Sequence, residues 1–189
     1  TRNYVQRVLE NINVYKAWEM TTGKKEIVIA IIDDGFDLSH EELNNNIIKP
    51  WNVLNQNSKV YANDRITHGT HVSGIAIAEN NNNKGLCGIA PSCSFMPIQM
   101  GNDQPGFSST AIIDGILYAI NNGADIINLS IHIDFSQNGT VDITPLRNIT
   151  QNELNSEINH SKRDAEFFWN EIFELAEEEN IMIVFAAGN

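Results

Sequence analysis

The residues with the most chemical potential stand in three places: Asp33-Asp34-Gly35, His68-Gly69-Thr70-His71-Val72-Ser73-Gly74 and Ala186-Ala187-Gly188-Asn189. His68 precedes a glycine, a threonine and a run of small and apolar residues, Val72, Ile75, Ala76 and Ala78. This pattern predicts a helix with His68 at its mouth, where the ring faces solvent or a bound molecule. Small residues behind it permit close packing against a sheet. Two histidines three apart could instead hold a metal. The zinc-binding pattern H-E-x-x-H needs a glutamate as base on the same helix face, and here Gly69 and Thr70 intervene. A histidine that only caps a helix is the bland alternative that these seven residues leave open.

The three places become more informative together. An aspartate beside a histidine fixes the ring's tautomer and stabilises its protonated form, so the histidine can act as general base on a nucleophile. An asparagine amide after a turn of small residues can donate to a developing oxyanion. Taken singly, Asp-Gly turns and strand-end asparagines are common.

The elements that must position these groups can be read from hydrophobic pattern. Residues 27–32 form a continuous apolar run, Ile-Val-Ile-Ala-Ile-Ile, the signature of a strand buried on both faces of a parallel sheet. It stops at Asp33-Asp34-Gly35, and the carboxyl end of such a strand is where open α/β sheets place their chemistry. Further strands are predicted at 94–99, where Pro97 is an irregularity, at 125–130 and at 181–185. Helices are predicted from Ser108 to Asn121, with Asn122-Gly123 as the C-terminal cap, and from Asp164 to Glu179. Short helical turns fill 7–20, and the polar stretch from about Phe135 to His160 is an excursion from the core. Strands alternating with helices predict an α/β fold with a three-layer, doubly wound and mostly parallel sheet.

Composition sets the outer bounds. The chain has 189 residues, enough for one domain with a sizeable core, and no run of 18 apolar residues that could span a membrane. A net charge of −12 argues against nucleic acid as a partner. Much of the acid lies between Glu171 and Glu179, on the solvated face of the last predicted helix. Cys87 and Cys93 read as two buried thiols, with a disulfide as the alternative. The triplets at Asn128, Asn138, Asn148 and Asn159 match a glycosylation pattern, but asparagine is abundant throughout. A first residue of Thr1 rather than Met suggests a trimmed chain.

In this order the motifs resemble those of the subtilisin-like serine proteases, the subtilases. The resemblance runs through Ala17-Trp18, Ile31-Ile32-Asp33-Asp34-Gly35, Ser39-His40-Glu41-Glu42-Leu43, the His68 motif, Gly88-Ile89-Ala90-Pro91, residues 125–130 and Ala186-Ala187-Gly188-Asn189. It implies the N-terminal portion of a catalytic domain, here 1–189, with Asp33 as the acid of a triad, His68 as its base and Asn189 as oxyanion donor. It implies Ser130 beside the first specificity pocket, and Gly106-Phe107 near the edge that pairs with an extended peptide. Glu42 and Asn81 become candidate calcium ligands, since Glu79 to Gly85 follows the histidine helix where the family wraps that ion; a plain asparagine-rich turn is the competing reading. Asp37, His40 and His71 are assigned turn, surface and packing roles.

The pattern also departs from the family. Ile131-His132 follow Ser130 where the family has Leu-Gly or a similar pair. The excursion from Phe135 is longer than the family core needs. No Gly-Thr-Ser motif, the family's nucleophile, occurs in the 189 residues. The expectation is therefore a serine endopeptidase acting on a peptide or protein substrate, with its serine on a C-terminal segment outside this chain. Neither nucleic acid nor membrane is an expected partner. A non-catalytic relative acting as a binding or regulatory scaffold is the alternative, and a chain cut short without biological meaning is a third.

Overall fold

The computed structural model describes residues 7–102, 107–131 and 169–187. The predicted excursion at 135–160, the start of the last predicted helix, Gly106 and Asn189 lie outside the described residues. The elements run α1 (Arg7–Asn11), α2 (Val14–Trp18), β1 (Val28–Asp33), β2 (Trp51–Asn52), α3 (His68–Ile77), β3 (Ser94–Gln99), α4 (Ser109–Asn121), β4 (Ile126–Leu129), a helix over 169–178 (α5) and β5 (Met182–Phe185).

The five strands form one parallel sheet in the order β2-β3-β1-β4-β5. Alternation along β1 divides the core into two layers. Ile29 and Ile31 face a cluster with Phe36, Leu43, Ile77 and Phe95 on the α3 side. Ala30 and Ile32 face the other cluster, with Ile112, Ile116 and Ile120 of α4 and Trp169, Ile172 and Ala176 of α5. This is the three-layer α/β architecture expected from the sequence.

Pro97 is accommodated because residues 95 and 99 turn their backbone groups toward the β2 side, where Phe95 bonds Asn46 and Ile48 and Gln99 bonds Val53. Pro97 has the same parity, and β2 begins only opposite Ile98, so no ladder bond needs its missing N–H.

One expectation is corrected. β5 reads in sequence as a buried strand, yet Met182 and Val184, on the face turned away from the α5 cluster that Ile183 and Phe185 join, are 62% and 41% exposed. The small residues of α3 pack against the sheet as expected. Gly69, Ser73 and Ile77 are buried four residues apart along one side, and Val72 and Ala76 pack against the same cluster, while Ile75 is 51% exposed.

Candidate active site

β1 carries Asp33 as its last residue, on the same face as Ile29 and Ile31 and therefore toward α3. α3 begins with His68. The histidine's Nδ1 lies 2.8 Å from Asp33 Oδ1 and 3.0 Å from Oδ2. Asp33 is fully buried, while the His68 side chain is 53% exposed. The helix start reaches the strand end this closely because residue 69 is glycine: a Cβ there would lie 2.4 Å from Gly35 O and 2.9 Å from Asp33 Cβ. Ser73 Oγ donates to Gly69 O at 2.7 Å, which keeps the polar hydroxyl satisfied beneath the strand.

Burial dominates the acidity of Asp33. It pushes the carboxyl up to about 6, against the opposing effect of the hydrogen bonds from His68 and the Asp34 amide. The negative charge of Asp34 adds to the rise. Asp34 itself turns to the mouth of α3. Its Oδ1 accepts from the amides of Gly35 and Gly69, both at 2.7 Å, and its Oδ2 from those of Thr67 and His68, both at 3.1 Å.

The other expected site residues are scattered around this junction. Ser130 is half-buried just past β4, and its Oγ accepts from Asn128 Nδ2 at 2.9 Å. Phe107 is 39% exposed in an irregular segment before α4, whose N-terminus is capped by Ser108 accepting from the Ala111 amide. Asp37 forms a turn, accepting from the Ser39 amide and hydroxyl at 2.9 and 2.6 Å. His40 is exposed, as its surface role requires. His71 is exposed too and has no packing role.

A second polar centre lies past the C-terminal end of α3, where the Glu79 amide donates to Glu42 O. Glu42 is 7% exposed; its Oε2 accepts from Asn82 Nδ2 at 2.9 Å, but its Oε1 is buried with no hydrogen-bond partner. Gly85, at φ +30°, closes over that oxygen, and a Cβ there would stand 2.5 Å from it. An unpartnered buried carboxylate oxygen under a glycine is the acceptor a hard cation takes. Among the described residues no group of three or more His, Cys, Asp or Glu gathers for a metal. A cation here would therefore rest on one carboxylate and on neutral amide and carbonyl oxygens, a donor set that suits calcium rather than zinc. Asn81 is exposed with φ 60°, and it is the neighbouring Asn82 that meets Glu42.

The two centres are separate. A cavity of about 810 Å³ opens beside the second, lined by His40, Glu42, His71, Gly74, Ile75 and Leu86 among others, and neither Asp33 nor His68 contributes to it. Cys87 and Cys93 are not joined by a disulfide. Among the described residues no helix is long and apolar enough to cross a membrane.

Sequence reading leaves Asp34 either pointing away or in a local hydrogen-bond network, and it forms a network. What that reading missed is its reach to the start of α3 and the work of Asn82. Asp34 had a signal: Thr67-His68-Gly69 opens a helix with no acid in its first turn, so its amides need an acceptor from elsewhere. Asn82 had none, because its inward aim depends on the left-handed backbone of Asn81 and Asn83.

Known proteases resemble the chain in sequence and in fold. The chain is 36% identical over 118 residues to a thermophilic serine proteinase of Bacillus sp. (strain AK1), covering 62% of this chain and 29% of that protein. It is 37% identical over 120 residues to a calcium-dependent protease of Trichormus variabilis, covering 62% of this chain and 17% of the relative. The chain thus spans under half the length of these relatives. The crystal structure of a lanthipeptide protease shares the fold, with a TM-score of 0.65 at 21% identity over 93% of this chain and 43% of that one. The profile of the subtilase family, peptidase S8, matches residues 24–189, and the chain belongs to that family.

Proposed function

We propose that this chain is the N-terminal part of a serine endopeptidase catalytic domain whose nucleophilic serine lies outside the 189 residues. The observation that carries the reading is the 2.8 Å contact of His68 Nδ1 with buried Asp33, which leaves the half-exposed ring's Nε2 for a hydroxyl. Asp33 holds the ring with its proton on Nδ1 and stabilises the imidazolium once it forms. The serine Oγ then attacks the peptide carbonyl as its proton passes to His68 Nε2. The same proton goes on to the leaving amine, and water repeats the sequence in reverse to release the acyl group. In this proposal the Asn189 amide donates to the oxyanion, and the backbone near Ser130 and Gly106-Phe107 aligns the peptide.

The Glu42 centre is proposed as a structural calcium site. Glu42 Oε1 would hold the ion together with oxygens of the Glu79–Gly85 loop. The bound ion would offset the cost of the buried charge and tie that loop to the turn before it.

A serine-directed fluorophosphonate probe with mass spectrometry tests the catalytic reading. The 189-residue chain alone is expected to remain unlabelled and inactive. With a segment carrying a Gly-Thr-Ser-like motif, the label is expected on that segment's serine and is lost on His68→Ala. Labelling of the isolated chain overturns the assignment of the nucleophile. An associated segment with no labelled serine makes the protein a non-catalytic scaffold.

A further inference from the structure

Two adjacent acids grip one histidine by different handles. Asp33 takes the ring of His68, and Asp34 takes its backbone amide together with those of Thr67 and Gly69 on either side. We propose that Asp34 is a positioning residue for His68: by capping α3 from the end of β1, it fixes where the ring sits against Asp33. The proposal rests on the reading of His68 as general base.

The first amides of a helix lack partners within it and need an outside acceptor. Thr67, the N-cap by position, makes no side-chain capping bond, and the first turn of α3 holds no acid. Asp34 fills that role from 33 to 35 residues away in sequence. An ionised carboxylate has about four acceptor positions, and Asp34 uses two on each oxygen, the fourth donor being Gly35 next to it in the chain. Its charge also suits the positive end of the helix dipole.

What matters is the other end of these bonds. A local cap would satisfy the same amides without fixing the helix to anything. Asp34 follows Asp33 directly, so the link ties the backbone of the base to that of its acid across a single peptide unit. Asparagine cannot substitute, because its amide would turn N–H groups toward two of the donors.

The experiment separates capping from positioning on the intact protein. Three readouts are compared for Asp34→Asn and for Asp34→Asn with Thr67→Asp, which adds a local cap: melting temperature, kcat and KM on a peptide substrate, and the low-field NMR signal of the Nδ1 proton shared with Asp33. Asp34→Asn is expected to lower kcat by about 10- to 100-fold, the scale of a 1 Å misplacement, with KM changed less than about twofold and the low-field signal weakened. Thr67→Asp is expected to restore the melting temperature but neither kcat nor the signal. Recovery of all three together would reduce Asp34 to a stabilising cap, and an unchanged kcat in Asp34→Asn would overturn the proposal outright. Should Asp34→Asn fail to fold, Asp34→Ser, which keeps one acceptor oxygen, carries the same expectations. If the unsubstituted protein cleaves no peptide, the catalytic reading fails, and the low-field signal still decides whether Asp34 positions the ring.

Discussion

The two polar centres at the two ends of α3 are built on buried carboxylates that end differently. At the strand end, Asp33 gives its oxygens to the His68 ring and the Asp34 amide, and Asp34 fills both of its own with backbone donors. Past the other end of the helix, Glu42 is buried as deeply as many core residues, yet Oε1 has no partner. Leaving such an oxygen dry and unpaired costs on the order of 1–3 kcal/mol or more. The first centre is completed by the chain itself, apart from the atom it acts on. The second keeps one buried carboxylate oxygen without a hydrogen-bond partner. A catalytic constellation must be rigid before the substrate arrives, whereas a structural ion can be part of what folds the loop.

The largest effect should come from breaking the completed centre. In an intact protein with its serine, His68→Ala should lower kcat by roughly 10⁶-fold and Asp33→Asn by roughly 10⁴-fold, magnitudes known for subtilisin and a triad of unrelated fold and carried over to this chain. Steady-state kinetics on a peptide substrate measure both. Losses below tenfold would show that this pair does not carry the chemistry.

The same aspartate should act oppositely on stability. Its carboxyl is raised by burial from 3.8 to about 6, so the folded state binds more protons than the unfolded state between those values. The fold is therefore favoured below pH 3.8, loses stability as pH rises toward about 6, and carries the full cost above that. Asp33→Asn, which cannot ionise, should make the protein more stable at pH 8 by up to roughly 3 kcal/mol and leave it unchanged near pH 3. Denaturant unfolding at the two pH values reads the difference. Activity should show the converse, falling below about pH 6 as Asp33 takes up its proton and stops stabilising the imidazolium.

How much of this was legible in the sequence differs between the two centres for a physical reason. β1 reads as a strand because burial on both faces leaves an unbroken apolar run, and β3 and β4 carry shorter apolar stretches, while β2 is two residues, Trp51-Asn52, with no run to read. Strand parity and motif order were enough to bring Asp33 toward His68. The outward turn of Ile75 was not legible, because the approach of α3 to β1 is set by small residues rather than apolar ones. At the second centre Glu42 was legible but Asn82 was not. Which side chain of an asparagine-rich loop points inward depends on positive φ angles that residue types do not report.

Calcium at Glu42 should have a smaller effect than substitution of either Asp33 or His68. Calcium at about 100 times its dissociation constant should stabilise the protein by roughly 2.7 kcal/mol, or about 5–10 °C in Tm, and a chelator should reverse it. Glu42→Gln should abolish the response while leaving the calcium-free protein no less stable, since it removes a buried charge. A calcium response that survives Glu42→Gln would place the ion elsewhere, and no response in the unsubstituted protein would leave the loop an ordinary turn.

The smallest effect is expected one residue away. Glu41 is exposed and pairs with the exposed Lys84 at 2.6 Å, bridging the same turn and the same loop that Glu42 and Asn82 join underneath. The hydrogen bond from Lys84 holds the Glu41 carboxyl below its usual range, so any stabilisation is present at neutral pH and disappears as the carboxylate is protonated. Both groups remain in water, where screening and the ordering of two long side chains offset the attraction. Glu41→Gln should therefore leave Tm unchanged within measurement error at physiological salt and leave the calcium response intact. The two substitutions exchange the same atoms at adjacent positions and differ only in burial. If Glu41→Gln also abolished the calcium response, charge on the loop rather than the orphaned buried oxygen would be what draws the cation.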